Sequence, residues 1–468
     1  MEQLSGLDAA FVHQDSARTP MHISAVLIYD ASQRRLGVDH LRELVTKRLW
    51  SEPLFQRKLQ RVTFDVDTPY WIPAGNTDWR YHLDESGLPD GDCWDAFHQL
   101  VQRIHSRRMD LARPLWQLHL VHELNDIPGL PTRCQALILK AHHAAIDGIS
   151  LARLLQGLQD SAGDDTPPAP PAPPRPDSWE VWSRASLNSI NRQFKFADTV
   201  GRLFSRIPKA REERRNKQEL TPTLGSRSRF NDRVSATRTV GMVLIPRAEM
   251  VAIKHAVRGV TYNDVAASII AGGLRHYLQD SGELPNESLV AGMPINLRNT
   301  DGDKSGSNQI ATMTVGLATS IEDPIERARM IHRFAVAGKR AIKALGTGTI
   351  MDISDSVPPS ILAEGIRTLA LASRLAPVPV PFHTMVSNVP GPAGEQAING
   401  LPLVACTGLG PVRDNMGLFH IISSTDQMMS LSFNACAQLV PDGEHYRECI
   451  STAFDELHQA TSSEVVAG

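Results

Sequence analysis

Cysteine is scarce in this sequence, and its few copies are too far apart for the sites that cysteines usually build. The chain has five cysteines, with no CxxC pair among them: Cys93, Cys134, Cys406, Cys436 and Cys449. Disulfide frameworks and structural zinc sites depend on closely spaced cysteines, so this pattern predicts neither. A reducing compartment, the cytoplasm, fits such a chain.

An excess of charge of either sign is also lacking. The 48 Lys and Arg residues nearly balance the 51 Asp and Glu residues, which leaves a net charge of -3. Without a basic surplus there is no global attraction for nucleic acid, so DNA and RNA are not expected partners. Apolar residues at 42% and charged residues at 21% match globular averages, which excludes a disordered chain or a coiled coil.

Long uninterrupted apolar runs are missing as well. Residues 1–27 contain acidic side chains and no basic stretch followed by an apolar run, so a cleaved signal peptide is not expected. The most apolar long segment, 357–382, is interrupted by Glu364, Arg367 and Arg374. We therefore predict no transmembrane helix.

Proline is concentrated in one place. The chain has 468 residues, about three typical domain lengths, which predicts more than one lobe. Segment 162–177 reads AGDDTPPAPPAPPRPD and must favour an extended, polyproline-like chain. We interpret it as a spacer, with a proline-rich docking peptide as the alternative. The predicted division is an N-terminal lobe at 1–161, a linker and connecting helix at 162–236, and a C-terminal lobe at 237–468.

Strand and helix patterns alternate in both halves, which predicts an α/β (α+β) protein in which each lobe is a sheet with helices packed on it. Segment 134–140 is almost entirely apolar and is predicted to be a buried central strand. It is followed by AHHAAIDG, and a helical pattern resumes over 149–158. This motif therefore occupies a strand-to-helix turn.

The motif HHxxxDG consists of His142, His143, Asp147 and Gly148. A strand that ends in a histidine pair directs one imidazole into the space beyond the strand end, where crevices form. An imidazole titrates near neutral pH and can take a proton from a hydroxyl group. Asp147 could orient the turn by pairing with a cation, and Gly148 would permit tight backbone geometry.

Three other interpretations of the motif have different requirements. The two histidines could be hydrogen-bonded core residues. A zinc site would need a third ligand, HExxH is absent, and adjacent residues of an extended chain point to opposite sides. A Ser-His-Asp hydrolase would need a GxSxG elbow, which the sequence does not contain.

Further short motifs accompany HHxxxDG along nearly the whole chain. With them, the sequence resembles the bacterial wax ester synthase/diacylglycerol acyltransferase family, within the condensation-domain and chloramphenicol-acetyltransferase superfamily. The matching residues are Leu4-Ser5, Asp8, Phe11, Pro20-Met21-His22, Pro114-Leu115-Trp116, Asn263-Asp264-Val265, Pro294, Asn296, Arg298 and the SNVPGP segment from Ser387 to Pro392.

The resemblance implies two chloramphenicol-acetyltransferase-like lobes, each a mixed sheet packed with helices, with a substrate tunnel between them. It implies transfer of a long-chain acyl group from the co-substrate acyl-CoA to a long-chain alcohol, a diacylglycerol, or both. His143 would be the general base within the catalytic motif of His142, His143, Asp147 and Gly148. No metal, no cofactor and no covalent acyl-enzyme would be needed.

Two charged or polar pairs receive more specific expectations. Asp147 is expected to be structural and ion-paired, with Arg298 as the candidate partner. Asn263 is interpreted either as a helix N-cap or as a tunnel residue that stabilises an oxyanion. Asp264 is interpreted as a favourable charge in the first turn of a helix, with a substrate-binding or catalytic role as the alternative.

The remaining expected substrate-binding residues belong to two motifs. Trp116, with Leu115 and Pro114 before it, is either core or a wall of the substrate site. Asn388 and Gly391 are expected to fix a loop that crosses between the lobes. Departures from the family pattern at 306–308, 415–420 and 424–427 leave the preferred acceptor open.

The expected location is the cytoplasm, with peripheral attachment to the inner face of the membrane or to lipid bodies. Segment 194–209 interleaves apolar and basic residues and could lie on anionic lipid, or else pack between the lobes. A monomer and a homodimer are both compatible with the sequence. Two other functions stay open: condensation with a carrier-protein thioester, and a catalytically silent lipid-binding relative.

Overall fold

The computed structural model describes residues 2–62, 67–89, 91, 93–162, 177, 179, 183, 225–296, 310–345, 364, 365, 368, 380–392 and 394–467. Most of the predicted linker and connecting helix, 162–236, lies outside the described residues. The same holds for the amphipathic segment 194–209, for most of 357–381 and for Arg298.

Fifteen strands are formed by the described residues. In chain order they are β1 (Glu2–Gln3), β2 (His22–Asp30), β3 (Arg57–Gln60), β4 (Tyr70–Pro73), β5 (Leu83–Gly87), β6 (Trp116–Asn125), β7 (Arg133–His142), β8 (Arg238–Pro246), β9 (Val290–Asn296), β10 (Ile310–Gly316), β11 (Thr384–Asn388), β12 (Ala397–Ile398), β13 (Leu401–Leu409), β14 (Leu418–Ser424) and β15 (Met428–Cys436).

Ten α-helices accompany these strands in the described part of the chain. They are α1 (Gly6–Gln14), α2 (Val38–Leu44), α3 (Pro53–Gln56), α4 (Trp79–His82), α5 (Cys93–Ser106), α6 (Gly148–Leu158), α7 (Arg247–Ala256), α8 (Tyr262–Asp280), α9 (Pro324–Leu345) and α10 (Gly443–Ala467). A π-helical turn, Val45–Leu49, continues α2.

The first sheet has the strand order β12-β13-β2-β7-β6-β5, and β7 is buried along all but its first residue. Both faces of this sheet are covered. Along β2, Ile23 and Leu27 pack towards the cluster that contains α2 and α6, whereas Val26 and Ile28 pack towards the cluster that contains α5. Two covered faces explain the near-continuous apolar sequence of β7, and the prediction of a buried central strand is confirmed.

The second sheet has the order β10-β9-β11-β14-β15-β8. Strand β11 runs parallel to both of its neighbours, and the other pairs are antiparallel. A third, small sheet pairs β1, β4 and β3 near the N-terminus. The two large mixed sheets with their helices agree with the predicted fold class.

Strand β13 joins the two halves of the chain. It follows β11 in sequence, yet it pairs antiparallel with β2 of the first sheet, from Leu403 opposite Tyr29 to Leu409 opposite Ser24. The second half of the chain therefore completes the first sheet, which the predicted division into 1–161 and 237–468 does not describe. The lobe boundaries themselves stay a prediction.

A face of small residues on α8 packs directly against α10, as the small side chains of α8 suggest. A Cβ atom added at Gly272 would lie 2.7 Å from the Ala453 Cβ, and one at Gly273 would lie 2.7 Å from the Ile450 Cγ1. Such contacts leave no room for side chains, so the two helix backbones approach closely. The pair forms a rigid layer on the second sheet.

Among the described residues, no helix combines the length and the apolar character needed to cross a membrane.

We expect the protein to lose stability steeply in mild acid. Burial lowers the pKa of His105 and of His420 from 6.5 to about 3. Both imidazoles are neutral in the folded protein. Their contribution to the free energy of unfolding is therefore complete above pH 6.5 and is lost as the pH falls from 6.5 towards 3. At pH 5 the loss is about 2 kcal/mol per imidazole. Urea unfolding at pH 7.5 and at pH 5 measures it.

The variant His420→Gln is the control for this prediction. It removes a buried imidazole that hydrogen-bonds with Thr384 and Tyr446, so its stability is lower at neutral pH. The unfolding free energy of the variant should nevertheless change less steeply with pH. The decrease in slope should correspond to at most one proton bound on unfolding. An unchanged slope would show that His420 is not kept neutral by the fold.

Candidate active site

The histidine pair is held by the backbone of two neighbouring segments. His142 ends β7 and lies opposite His22 of β2. Its backbone N–H donates to the Leu115 carbonyl at 3.1 Å, and the next N–H, that of His143, donates to the Met21 carbonyl at 2.8 Å. Because adjacent residues of an extended strand face opposite sides, the two rings enter different environments.

The His142 side chain is fully buried. Its Nδ1 accepts the Ala144 backbone N–H at 3.1 Å, so the ring proton belongs on Nε2, which lies 3.9 Å from Asp15 Oδ1. Burial, then the charges of His143 and Arg108, lower the pKa of His142 to about 3. Asp15 is itself held by Arg108 Nε at 2.6 Å and by the Met21 N–H at 3.0 Å. His142 thus supports the turn and does not reach the cavity.

His143 takes the opposite position, in the wall of a cavity. Its ring stacks on Phe11 of α1, with ring centroids 4.1 Å apart and planes inclined by 15°. Burial lowers the pKa of His143 below 6.5, against the opposing effect of the Asp147 charge. A neutral imidazole that faces a cavity can accept a proton from a hydroxyl group.

The cavity lies between the two large sheets. Its lining comes from β2, β13, β14, the first turns of α6 and the SNVPGP loop, and it is mostly apolar. Side chains that form it include Ile23, Leu27, Leu151, Leu155, Val389 and Phe419. This is the position in which the family resemblance puts a substrate tunnel.

Asp147 acts as a helix cap. Its Oδ1 accepts the Ser150 backbone N–H at 2.7 Å at the start of α6. The expected ion pair with Arg298 stays a prediction, because Arg298 lies outside the described residues. The short polar side chain before a helix was the sequence signal for a cap.

Gly148 is needed for space more than for its backbone conformation. It does not adopt a positive φ, contrary to the reasoning that it allows tight backbone geometry. An added Cβ would lie 3.3 Å from the Val389 Cγ2. Gly148, the first residue of α6, thus touches Val389 of the SNVPGP loop. Gly148 and Val389 both line the cavity.

Asn263 and Asp264 begin α8, but neither lines the cavity. Thr261 is the N-cap, and its side chain forms a capping box with Asp264, which excludes Asn263 as the cap. Asp264 is buried and also lies 2.8 Å from His332 Nδ1. Its first-turn position agrees with the structural interpretation, and its carboxylate is engaged away from the cavity.

Asn388 connects β11 to α8 through a side-chain bond. Its Nδ2 donates to Asn263 Oδ1 at 2.9 Å. Three residues later, a Cβ at Gly391 would lie 2.5 Å from the Ser424 carbonyl oxygen and would collide with the Cys406 Sγ. Gly391 therefore lets the loop pass between β13 and β14, in agreement with the expected crossing.

The Pro114-Leu115-Trp116 segment belongs to the core. Trp116 is fully buried, and its indole stacks on His82 at a centroid distance of 4.2 Å and also contacts Phe55. None of the three residues lines the cavity. The burial of Trp116 agrees with the core interpretation, and a role in substrate binding stays a prediction.

A family model for the wax ester synthase/diacylglycerol acyltransferase catalytic domain matches residues 4–266, and the model for the C-terminal domain of the same family matches residues 306–458. The chain belongs to the wax ester synthase/diacylglycerol acyltransferase family. It is an acyltransferase, as the motifs predicted.

Relatives in two mycobacteria extend over the full length of this acyltransferase. A probable diacylglycerol O-acyltransferase of Mycobacterium tuberculosis H37Rv is 27% identical over 465 residues, 98% of this chain and 99% of that protein. A putative diacylglycerol O-acyltransferase of Mycobacterium bovis is 28% identical over 469 residues, which cover 98% of this chain and 99% of that protein.

Solved structures support the fold. The wax ester synthase/diacylglycerol acyltransferase of Marinobacter aquaeolei VT8 superposes with a TM-score of 0.68 at 20% identity, covering 98% of this chain and 100% of that one. The first condensation domain of a calcium-dependent antibiotic synthetase gives 0.56 at 14% identity, covering 98% and 96%. The predicted fold class is confirmed.

Substitutions at Asp147 should separate capping from charge. Asp147→Ala removes the acceptor for the Ser150 N–H and should cost about 1 kcal/mol of unfolding free energy. Asp147→Asn keeps an oxygen at the cap and should cost much less. Urea unfolding of both variants measures this; equal losses would mean that the charge, and not the cap, is what matters.

Phe11 is the residue near His143 whose role the sequence did not assign. Phe11→Leu removes the ring that fixes the His143 plane, a contact worth about 0.5–1.5 kcal/mol. The acyltransferase kcat should therefore fall roughly two- to tenfold, with little change in KM. Phe11→Tyr keeps the ring and should keep the rate. A loss confined to KM would assign Phe11 to substrate binding instead.

Proposed function

We propose that this enzyme transfers a long-chain acyl group from acyl-CoA to the hydroxyl group of a long-chain alcohol or a diacylglycerol, forming a wax ester or a triacylglycerol. The observation that carries the proposal is the His143 imidazole, held neutral in the wall of a mostly apolar cavity between the two sheets. An apolar cavity suits an acyl chain, and a neutral imidazole suits an alcohol that must lose its proton.

His143 is the general base in this proposal. The imidazole takes the hydroxyl proton as the alcohol oxygen attacks the thioester carbonyl carbon. The tetrahedral intermediate collapses, the carbon–sulfur bond breaks, and the coenzyme A thiolate leaves and receives the proton from the imidazolium. The thiolate is a far better leaving group than an alkoxide because the pKa of a thiol is much lower.

The proton and the acyl group are both accounted for by this sequence of steps. No covalent acyl-enzyme forms, and the steps need no metal or cofactor beyond the acyl-CoA co-substrate. His142 is assigned a supporting role because its Nδ1 already accepts the Ala144 N–H and its ring is buried away from the cavity. Asp147 and Gly148 support the same turn through the cap and the contact with Val389.

We further propose that the enzyme works at the inner face of the membrane or at lipid bodies as a peripheral protein. The argument is that both long-chain substrates partition into lipid. Its experiment is flotation with anionic liposomes, where recovery of the protein only in the soluble fraction at low salt would contradict the proposal.

A monomer suffices for the proposed site, since both sheets of the cavity come from one chain.

The main experiment measures coenzyme A thiol release from palmitoyl-CoA, with hexadecanol or dipalmitoylglycerol as acceptor. His143→Ala should reduce acceptor-dependent release by at least about a hundredfold, the usual size of a general-base contribution. His255→Ala changes an exposed histidine of α7 and should leave the rate unchanged. The ratio of the rates with hexadecanol and with dipalmitoylglycerol ranks the two acceptors.

The pH dependence of the rate checks the role of His143 independently. Because burial lowers the pKa of His143 below 6.5, kcat/KM should fall only on the acid side of that value and be level through neutral pH. A fall of kcat/KM in acid whose midpoint lies above pH 6.5 would contradict a base kept neutral by burial.

The two alternatives have distinct outcomes in the same assay. Release from an acyl-carrier protein but not from palmitoyl-CoA would favour condensation with a carrier-protein thioester. No release with either donor, together with unchanged neutral lipid in cells that carry His143→Ala, would favour a silent lipid-binding relative.

A further inference from the structure

Three side chains with metal-binding donor atoms meet far from the cavity. Asp280 is the last residue of α8, and His445 and Cys449 lie one turn apart near the start of α10. The carboxylate, imidazole and thiol donor atoms all lie within 4.8 Å of one another. This cluster, the Asp280/His445/Cys449 cluster, takes no part in the proposed chemistry.

The distances within the cluster are close to those of a metal coordination sphere. His445 Nε2 lies 3.0 Å from Asp280 Oδ2 and 3.7 Å from Cys449 Sγ. A tetrahedral Zn²⁺ with its usual bond lengths separates such ligand atoms by about 3.3–3.6 Å. The same nitrogen faces both other donors, so one ion between them could be reached by all three without rotation of the helices.

The surroundings of His445 favour one ring orientation. Its Nδ1 faces Glu448 at 3.9 Å from Oε2, and its ring packs against Tyr277 with centroids 5.9 Å apart. A carboxylate behind a ligating histidine is a common outer partner of metal sites, since it fixes the ring and increases its basicity. Nε2 is thereby left to point at Asp280 and Cys449.

The electrostatics of the cluster also suit a cation. Carboxylates surround it, since Asp280 belongs to the cluster and Glu448 Oε2 lies 3.9 Å from His445 Nδ1. The thiol is 4% exposed, whereas the side chains of Asp280 and His445 are 57% and 39% exposed. An ion could therefore enter from solvent past the two exposed ligands and meet the sulfur at the base.

We propose that the Asp280/His445/Cys449 cluster binds a Zn²⁺ ion, with water in the fourth position. A mixed nitrogen, sulfur and oxygen donor set with a thiolate selects zinc over magnesium or calcium. The ion replaces the thiol proton of Cys449, which is released on binding.

The position of the cluster in the fold points to a structural role. Asp280 lies at the far end of α8 from Asn263, at a distance of about 26 Å at 1.5 Å per residue. The ion would tie the end of α8 to the beginning of α10, across the helix pair that already packs through Gly272 and Gly273. It would therefore raise stability without entering the reaction.

Cobalt binding tests the proposal directly. The full-length enzyme is freed of metal with a chelator and titrated with Co²⁺, whose thiolate complexes have an ultraviolet charge-transfer band. We expect one equivalent of Co²⁺ to produce this band, Zn²⁺ to abolish it by competition, and Zn²⁺ to raise the Tm. Cys449→Ser and His445→Ala should lose both the band and the rise in Tm, and Asp280→Asn should weaken binding at least tenfold.

Cys93→Ser is the matched control, because Cys93 is another buried cysteine near a helix start whose Sγ contacts backbone carbonyls. It should bind Co²⁺ like the unmodified protein. All four variants should keep their acyltransferase rate, so the outcome does not depend on the proposed reaction. Absence of the band, or the same band in Cys449→Ser, would overturn the proposal.

Discussion

The structure depends on the edge of strand β13. One edge of β13 pairs with β2, and on the other edge, beyond a short pairing with β12, its carbonyl groups face the second sheet. There, Ser430 Oγ donates to the Cys406 carbonyl at 2.6 Å, Ser432 Oγ to Gly408 at 2.5 Å, and Asn434 Nδ2 to Gly410 at 2.8 Å. Alternate residues of β15 thus satisfy alternate carbonyls of β13, and the two sheets are joined through buried hydrogen bonds that would be costly to leave unmade.

This junction creates the candidate site. β2, β13, β14, the start of α6 and the SNVPGP loop line the cavity, and the loop passes between β13 and β14 where Gly391 leaves room. His143 follows a strand of the first sheet, whereas Val389, which touches Gly148, follows a strand of the second. The position of His143 and the shape of the cavity are therefore set by different parts of one connected framework.

The sequence predicted those parts of the fold that have strong local patterns. β7, α6 and the HHxxxDG turn were evident because a long apolar run, a motif and a helical period follow one another directly. β13 was missed because its sequence, LPLVACTGL, contains a proline and a glycine and has only two β-branched residues, Val404 and Thr407. Its partner β2 lies at the opposite end of the chain, and no local pattern indicates such a pairing.

In the candidate site, too, the sequence indicated only residues that have a local pattern. His143 was picked out by its motif as the candidate base, whereas the N-cap position considered for Asn263 belongs to Thr261, and Asp147 caps α6. Both caps carry local signals, a Thr-x-x-Asp spacing and an aspartate before a helix. Asp15 behind His142 carries none, because a contact between residues so distant in sequence is decided by tertiary packing alone.

The late position of β13 has a consequence for synthesis. Until residue 409 has left the ribosome, β2 exposes an edge of unpaired backbone groups beside an apolar sheet. Such an edge invites pairing with other chains, and N-terminal segments fold first during translation. The first half of this protein is thus a vulnerable intermediate for most of its synthesis, and truncated products that end before β13 are expected to aggregate or to require chaperones.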